Sequence, residues 1–424
     1  MALRKAGGNW VDGDRFFDRE VELEALAERV RDGTHTLLTA QRRMGKTSLV
    51  RELLRRLGEE GDFDTVFVDL EGAADAADAI AEIGAQSRPV QGAWQRIGEV
   101  FANALSEVAD RVETLAVSEL QVKMRASVDL GAWAPKGDGV FAALAQNSRP
   151  VVLAFDELPI LVNRLLKGPD GRVTPERKGA ADEFLSWLRK NGQAHRGRIV
   201  LILSGSVSLE PILRQAGLSA QANIYPAFEL RPWDEGVAVA CLGELAAGYG
   251  LELPGGVRRE MCRRLRCQIP HHVQQFFDRL HEHLRRAGRT VASVEDVDRV
   301  YADEMLSVRG QVDLEHYQTR IREVLGPQGY GVALEVLTEA AVGGGLLRAE
   351  AIDGYREWFK TAIPGASDSG AAESVTVDDV LDLLQHDGYL ERSGADYRFV
   401  SALLEDWWRV RHGQNFRPIE HRGP

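Results

Sequence analysis

Residues 39–49, TAQRRMGKTSL, place a glycine, a lysine and a threonine in direct succession. A loop that binds phosphate presents several backbone N–H groups to one anion, which requires left-handed conformations that a glycine such as Gly45 adopts easily. Lys46 offers a positive charge to the β- and γ-phosphates of a nucleotide, and the hydroxyl of Thr47 suits Mg²⁺. The segment therefore predicts a phosphate-binding loop. Its predicted contact residues are Gln41, Arg42, Arg43, Met44, Gly45, Lys46, Thr47 and Ser48.

Ala40 stands where the pattern G-x-x-x-x-G-K-[ST] begins with a glycine. Alanine fits this position if its φ angle stays negative. The segment before the loop is apolar, as in a buried strand, and the following SLVRELLRRL has a helical pattern. The N-terminus of such a helix favours an anion. The context therefore indicates a nucleotide-binding loop despite Ala40.

Two acids end the apolar run PVVLAFDE. An acid at the carboxyl end of a strand can reach the Mg²⁺ shell, a role we assign to Asp156, and the next acid, Glu157, can orient an attacking water. A later run, LILSGS, ends with Ser204 and Ser206, which can sense the γ-phosphate if their strand lies beside the phosphate-loop strand. The predicted catalytic residues are Lys46, Asp156, Glu157 and Ser204, and the predicted Mg²⁺ ligands are Thr47 and Asp156.

Apolar runs alternate with helical patterns in the first part of the chain, which predicts an α/β fold with a parallel sheet, a P-loop NTPase core. Residues 91–119 have a helical pattern. Residues 121–133, QVKMRASVDLGAW, alternate apolar and polar residues and predict a small hairpin or edge strand. The predicted sheet strands are HTLLTA (35–40), TVFVDL (65–70), PVVLAFDE (150–157), RIVLILSG (198–205) and IYPAFEL (224–230).

Strand signals stop after the fifth run. Residues 234–311 predict a helical region in which Pro270 opens a helix. Residues 377–408 predict a helix followed by a two-stranded hairpin, as in a winged helix. The Gly/Ser/Ala-rich segment 364–374 predicts a mobile surface loop. The predicted domains are a P-loop core (1–233), a helical lid (234–311) and a winged-helix-like domain (312–424).

The composition limits the classes of function. A formal net charge of −12 argues against a general affinity for nucleic acid or anionic membranes. No apolar run approaches the length of a membrane-spanning helix, and the first residues lack the apolar stretch of a secretion signal. Three cysteines are too few for a disulfide scaffold and suit a reducing compartment. We expect a cytoplasmic protein.

Four segments together resemble the archaeal-type ATPases of the STAND class, which are AAA+-related signal-transducing ATPases. They are FFDREVELEAL (16–26), RRMGKTSL (42–49), LAFDE (153–157) and LSGS (203–206). The resemblance implies ATP and Mg²⁺ as ligands. It also implies that the first segment lies against the adenine, with Phe17 and Arg19 as nucleotide-binding residues. The C-terminal GYLERSGADYRFVSALLEDWW is similar to the winged helix that ends proteins of this class.

The sequence departs from the family pattern at several positions. Asp18, like Ala40, replaces a glycine, and Cys267 and Gln268 stand where the lid often has a glycine ahead of its proline. The segment after the fourth strand carries a single arginine, Arg214, which is our candidate for an arginine finger that completes a neighbour's site. A solvated helix residue is the alternative interpretation of Arg214.

A zinc site is one interpretation of four residues that lie close together in the sequence, Cys262, Cys267, His271 and His272. Their spacing lacks the C-x2-C pair typical of structural zinc. Buried cysteines and surface histidines explain the cluster better, and we expect no metal there.

Two C-terminal features could suggest nucleic acid. The segment 406–417 combines tryptophans with arginines, but we favour a terminal helix that packs Trp407 or Trp408 under the wing. The helix before the predicted hairpin carries four acids and no lysine or arginine, and uncompensated acids are repelled by phosphates. Direct DNA reading by that helix is therefore disfavoured, while contact through the wing or another domain stays open. The four acids are Asp378, Asp379, Asp382 and Asp387.

The sequence predicts an ATP-binding and ATP-hydrolysing molecular switch. Nucleotide state would be coupled to the lid and winged helix and to a protein partner or self-association. We expect hydrolysis to be slow in the isolated chain and faster in an assembly that supplies a missing positive charge. One alternative is a DNA-associated AAA+ ATPase of the replication-initiator or transposition type. Another is a nucleotide-locked scaffold without turnover.

Overall fold

The computed structural model describes residues 3–6, 10–102, 115–129, 131–167, 173–222, 225–362 and 375–422. The chain divides into two compact units. The first, which we call the sheet unit, comprises Arg19–Thr39 and Lys46–Leu230. The second, the helical unit, comprises Met1–Asp18, Ala40–Gly45 and Arg231–Pro424. Most of the predicted phosphate loop therefore belongs to the helical unit, although both of its chain neighbours belong to the sheet unit.

Five parallel strands form the sheet of the sheet unit, which confirms the predicted α/β fold. They are β1 (Thr36–Thr39), β2 (Asp64–Asp69), β3 (Val151–Asp156), β4 (Ile199–Ser204) and β5 (Ala227–Glu229). Their spatial order is β2-β3-β4-β1-β5. Every residue of β3 and β4 is buried, as their continuous apolar runs predict for strands covered on both faces. The prediction that the fourth strand lies beside the phosphate-loop strand is confirmed.

The helices of the sheet unit connect these strands. They are α1 (Glu20–Arg31), α2 (Lys46–Glu60), α3 (Ala76–Gln86), α4 (Gln91–Val100), α5 (Val117–Ala126), α6 (Trp133–Ala145), α7 (Leu158–Leu166), α8 (Pro175–Ala194), α9 (Leu209–Gln215) and α10 (Ser219–Ala222). Side-chain caps fix the start of some helices. At the start of α3, for example, the side chain of Asp75 accepts a hydrogen bond from the backbone N–H of Asp78. The helix predicted over 91–119 is confirmed at α4 and at the start of α5, and residues 103–114 lie outside the described part.

The hairpin or edge strand predicted over 121–133 is wrong. The described residues of this segment form the second half of α5, a connection and the start of α6. The buried residues Leu120, Met124 and Val128 recur at every fourth position, whereas Val122 is 68% exposed. Spacing by four is compatible with both a helix and an alternating strand. The apolar residues at even positions therefore fit the pattern of a strand, although the segment is helical.

The described residues of the helical unit form eight α-helices and three short strands. The helices are α11 (Glu235–Gly248), α12 (Gly255–Leu265), α13 (Pro270–Arg286), α14 (Val294–Val300), α15 (Val308–Val342), α16 (Ala349–Ala362), α17 (Val377–His386) and α18 (Ala402–His412). The strands are β6 (Leu346–Leu347), β7 (Leu390–Ser393) and β8 (Asp396–Phe399). Pro270 opens α13 as predicted, and α15 is interrupted at Gly326, which precedes Pro327.

The predicted hairpin after α17 is confirmed. Strands β7 and β8 are antiparallel, and β6 joins them in a sheet of order β6-β8-β7. Trp407 and Trp408 on α18 are both fully buried, so the preferred interpretation of these tryptophans as packing residues is confirmed. The loop predicted at 364–374 lies outside the described residues. None of the helices among the described residues is both long and apolar enough to span a membrane.

Candidate functional site

The phosphate loop joins the end of β1 to the start of α2, which begins at Lys46. Gly45 has a φ angle of 87°, and Arg43 has a φ angle of 67°. These left-handed conformations are those expected of a loop that turns its amides inward. The φ angle of Ala40 is not positive, so alanine is accommodated there without strain, as predicted. Lys46 and Ser48, in the first turn of α2, are buried.

Thr47 and Asp156 meet at the carboxyl edge of the sheet. The Thr47 hydroxyl donates a hydrogen bond to Asp156 Oδ2 at 2.6 Å. Asp156 is the last residue of β3, and Ser204, the last residue of β4, donates from its hydroxyl to Asp156 Oδ1 at 2.7 Å. The backbone N–H of Glu157 also donates to Oδ1, at 3.1 Å. Three donors thus orient the buried carboxylate of Asp156.

Glu157 has a φ angle of 58°, an uncommon conformation for a residue with a side chain, and it directly precedes α7. Its Oε2 accepts hydrogen bonds from the backbone N–H and the hydroxyl of Ser206, both at 2.9 Å. The neighbouring Gly205 is required by a close approach, since a Cβ on it would lie 2.4 Å from Pro159 Cδ. The end of β4 therefore holds the Glu157 carboxylate in place.

The structure adds one acid that sequence reasoning missed. Asp69 is the last residue of β2 and is paired in register with Asp156 on the adjacent strand. Burial, and to a lesser extent the charge of Asp156, raise the pKa of Asp69. The available signal was that TVFVDL, like PVVLAFDE, is an apolar run with an acid at or next to its last position.

Two solved structures share this fold over nearly the whole chain. A Walker-type ATPase of Pyrococcus abyssi is 19% identical with a TM-score of 0.56, and the match covers 93% of this chain and 96% of that one. The ORC2 protein of Aeropyrum pernix, solved as ADPNP-ADP complexes, is 13% identical with a TM-score of 0.52, over 95% of this chain and 98% of that one. Neither protein-family models nor curated protein sequences give a match. This chain has the fold of an archaeal Walker-type ATPase.

The Walker-type ATPase fold agrees with the predicted AAA+-like P-loop core. The residues before the phosphate loop belong partly to the sheet unit and partly to the helical unit. In the sheet unit, Arg19 is buried at the start of α1, and its Nη1 donates to Glu22 Oε1 at 2.7 Å. In the helical unit, Phe17 packs edge-on against Trp233, with 5.8 Å between ring centroids. Asp18 has a φ angle of 60°, which explains why a glycine suits its position.

The outer residues of the predicted phosphate loop contact other parts of the helical unit. Gln41 donates through Nε2 to the carbonyl oxygen of Gly388. Arg42 donates through Nη1 to the carbonyl oxygen of His316 at 3.4 Å, and the carbonyl oxygen of Arg43 accepts from the His271 backbone at 3.4 Å. Met44 is buried. The predicted contact residues therefore divide between the two units, with Lys46, Thr47 and Ser48 in the sheet unit.

The interpretation of His271 and His272 as surface residues is wrong. His272 is fully buried and His271 is half-buried. This burial could not be predicted, because Arg43, whose carbonyl oxygen accepts from the His271 backbone, is more than 200 residues away in the chain. All three cysteines are free thiols, and the described residues contain no group of three or more His, Cys, Asp or Glu side chains that could hold a metal.

Arg214, the candidate arginine finger, lies in the last turn of α9 in the sheet unit. Its role toward a neighbouring molecule stays a prediction.

Proposed function

We propose that this protein binds ATP with Mg²⁺ and hydrolyses the ATP to ADP and phosphate. The observation that carries the proposal is the 2.6 Å contact between Thr47 Oγ1 and Asp156 Oδ2. A hydroxyl and a carboxylate thus meet at the carboxyl edge of the parallel sheet, and Lys46, which directly precedes Thr47, adds a cation to the same end of α2. Ligands of open α/β sheets bind at this edge.

The donor chemistry fits Mg²⁺. A threonine hydroxyl and a carboxylate are hard oxygen ligands, and Mg²⁺ is bound in nucleotide sites through one or two such groups together with phosphate oxygens. Thr47 and Asp156 would hold the ion, which would neutralise charge on the β- and γ-phosphates. Hydrogen bonds from Ser204 and from the Glu157 backbone orient Asp156 for this task.

Two side chains and the N-terminus of α2 carry the remaining chemistry of hydrolysis. The Lys46 ammonium group stabilises the negative charge of the phosphate oxygens, and the N-terminus of α2 adds its partial positive charge. Glu157 orients the attacking water and accepts its proton. Two hydrogen bonds from Ser206 fix the orientation of the Glu157 carboxylate, and this restricts where the water is held.

We further propose that ATP state is coupled to rearrangement of a helical lid (234–311) and a winged-helix-like domain (312–424), and to a protein partner or self-association in the cytoplasm. Two observations support the coupling. Loop residues 40–45 group with the C-terminal elements and not with the sheet. The antiparallel β7–β8 hairpin follows α17, as it would in a winged helix.

ATP turnover tests this function. We expect Lys46→Ala to weaken ATP binding and turnover together, and Glu157→Gln to keep binding while turnover falls by a factor on the order of 10²–10⁴, because a general base is lost. Binding is measured by calorimetry with ATP and Mg²⁺, and turnover by phosphate release over a range of protein concentrations. Lys190→Ala and Glu59→Gln, at side chains that are 70% and 65% exposed, are the matched controls.

The outcomes separate the alternatives. No heat on adding ATP and Mg²⁺ to the wild type would contradict the proposal outright. Binding with phosphate release that Glu157→Gln leaves unchanged would favour the nucleotide-locked scaffold. Turnover per protein molecule that rises with protein concentration would support activation by self-association. Turnover per molecule that is fast at all concentrations would contradict it.

A DNA-associated AAA+ ATPase is the second candidate, and one observation strengthens it. The sequence suggested that the acids of α17 are uncompensated, but at least two of them have partners. Asp378 pairs with Arg356 at 2.6 Å, and Asp379 forms a capping box with Thr376. Repulsion from DNA is therefore weaker than the charge count implies. Salt-dependent binding of duplex DNA that requires ATP would support this candidate.

A further inference from the structure

The outer half of the phosphate loop, residues 41–43, is embedded in the helical unit. Three segments contact it, through His271 at the start of α13, through His316 and Tyr317 within α15, and through Gly388 between α17 and β7. None of these segments carries a residue that phosphate-loop chemistry requires. Their contacts with the loop therefore call for a separate explanation.

Gln41 and Gly388 form the first contact. The buried Gln41 side chain donates to the Gly388 carbonyl oxygen. Gly388 has a φ angle of 72°, and a Cβ on it would lie 2.5 Å from Gln41 Cδ. Any other residue at 388 would thus be strained and would also displace Gln41. Gly388 both supplies the hydrogen-bond acceptor and leaves room for its donor.

Tyr317 forms the second contact. Its buried hydroxyl lies 3.5 Å from the Arg42 carbonyl oxygen and 3.3 Å from His272 Nε2. Both contacts are satisfied when Nε2–H of a neutral His272 donates to the Tyr317 oxygen and the Tyr317 hydroxyl donates to Arg42. The Tyr389 hydroxyl donates to the Tyr317 carbonyl oxygen at 2.9 Å and so ties this network to the hairpin segment.

Arg43 shows why the loop needs external support. Its φ angle of 67° is left-handed although arginine has a side chain. Such a conformation is strained and persists only where the surroundings determine it. The contacts to the carbonyl oxygens of Arg42 and Arg43, from Tyr317 and His271, lie on either side of this strained residue.

We propose that Tyr317 and Gly388 are positioning residues for ATP binding, which hold the phosphate loop in its binding conformation through Arg42 and Gln41. This inference rests on the proposed function. It adds that ATP affinity is set in part by C-terminal elements which contact the loop. By linkage, ATP binding in turn stabilises the segment around Tyr389, because two coupled sites affect each other by the same factor.

The test compares Tyr317→Phe with Tyr355→Phe. Tyr355 is also a fully buried tyrosine of the helical unit, but its hydroxyl donates to Glu339 and does not contact the loop. We expect Tyr317→Phe to raise the Kd for ATP and the KM about tenfold, which corresponds to about 1.4 kcal/mol, with kcat at saturating ATP unchanged. Tyr355→Phe should stay within about twofold of the wild type, since a lost hydrogen bond remote from the site lowers stability without touching affinity.

A second pair of measurements does not depend on hydroxyl removal. Gln41→Ala should raise the Kd for ATP as Tyr317→Phe does. Hydrogen exchange of residues 375–400 should slow when ATP is added to the wild type, and this slowing should be absent in Lys46→Ala.

The results distinguish the two proposals. If the wild type binds no ATP, the proposed function fails. If the wild type binds ATP and Tyr317→Phe matches Tyr355→Phe, only the positioning role fails. Tighter binding or faster turnover in Tyr317→Phe would also overturn it, because the contact would then restrain the loop from its binding conformation.

Discussion

Gly205 illustrates how closely the candidate catalytic residues are packed at the scale of single atoms. It separates Ser204, which binds Asp156, from Ser206, which binds Glu157. A methyl group at this position would lie 2.4 Å from Pro159 Cδ and 2.8 Å from Pro159 Cγ. Proline is rigid, so the backbone that carries both serines would have to move.

We therefore predict that Gly205→Ala lowers ATP turnover at least about tenfold and destabilises the fold by about 1–3 kcal/mol, the range for overpacking. Phosphate release and urea unfolding provide the two readouts. Gly179→Ala is the matched control, because Gly179 lies within α8 and a Cβ there would meet nothing within 4 Å. That control should gain about 0.5–1 kcal/mol from helix propensity. Equal turnover in the two variants would show that the packing around Gly205 does not position the serines.

At the scale of elements, α5 gives a sharp test of the helix that replaced the predicted hairpin. Met124 is fully buried, and Val122 is 68% exposed. We predict that Met124→Ala costs about 2–5 kcal/mol of unfolding free energy, the range for large-to-small changes in a core, whereas Val122→Ala costs less than about 0.5 kcal/mol. Urea unfolding measures both. A strand would place the two side chains on one face, so similar losses would favour the hairpin after all.

Elements that carry a local sequence signal were predictable. All five core strands were found because runs such as those of β3 and β4 are apolar throughout and too short for helices. Asp156 and Glu157 were predicted as site residues because two acids at the end of a strand gain significance in a chain that also carries a Gly-Lys-Thr loop. The α5 helix was not predicted, because apolar residues four positions apart fit both the period of a helix and that of an alternating strand. The burial of His272 could not be predicted, since it depends on Arg43 and Tyr317, which come from distant parts of the sequence.

At the scale of the whole molecule, the phosphate loop contains residues of both units. Residues 40–45 group with the helical unit, while Lys46 and Thr47 begin a helix of the sheet unit. The chain therefore passes from one unit to the other after Gly45. The switch proposed above requires that ATP bind one conformation of this segment better than another.

The buried histidines of the helical unit predict how stability depends on pH. Burial, and then the charge of Arg43, lower the pKa of His272 from 6.5 to about 3. Burial and the charges of Arg43, His272 and Arg42 lower the pKa of His271 well below its usual value. Both rings are therefore neutral in the folded protein, whereas the unfolded chain binds protons as the pH falls below about 6.5. Their stabilising effect is complete above that pH and is lost toward lower pH.

We predict that the unfolding free energy falls by about 2 kcal/mol between about pH 7 and about pH 5 on account of His272 alone. Carboxylates that are paired in the folded state, such as Asp296 with Arg289, lose stability in the same direction at lower pH, so the wild-type curve cannot assign the effect. The difference between variants can. His272→Gln should flatten the pH dependence, and His421→Gln, at a side chain that is 68% exposed, should leave it unchanged. Parallel curves for the wild type and His272→Gln would mean that His272 is already accessible to protons in the folded protein. That result would contradict the tight packing of this histidine against Tyr317.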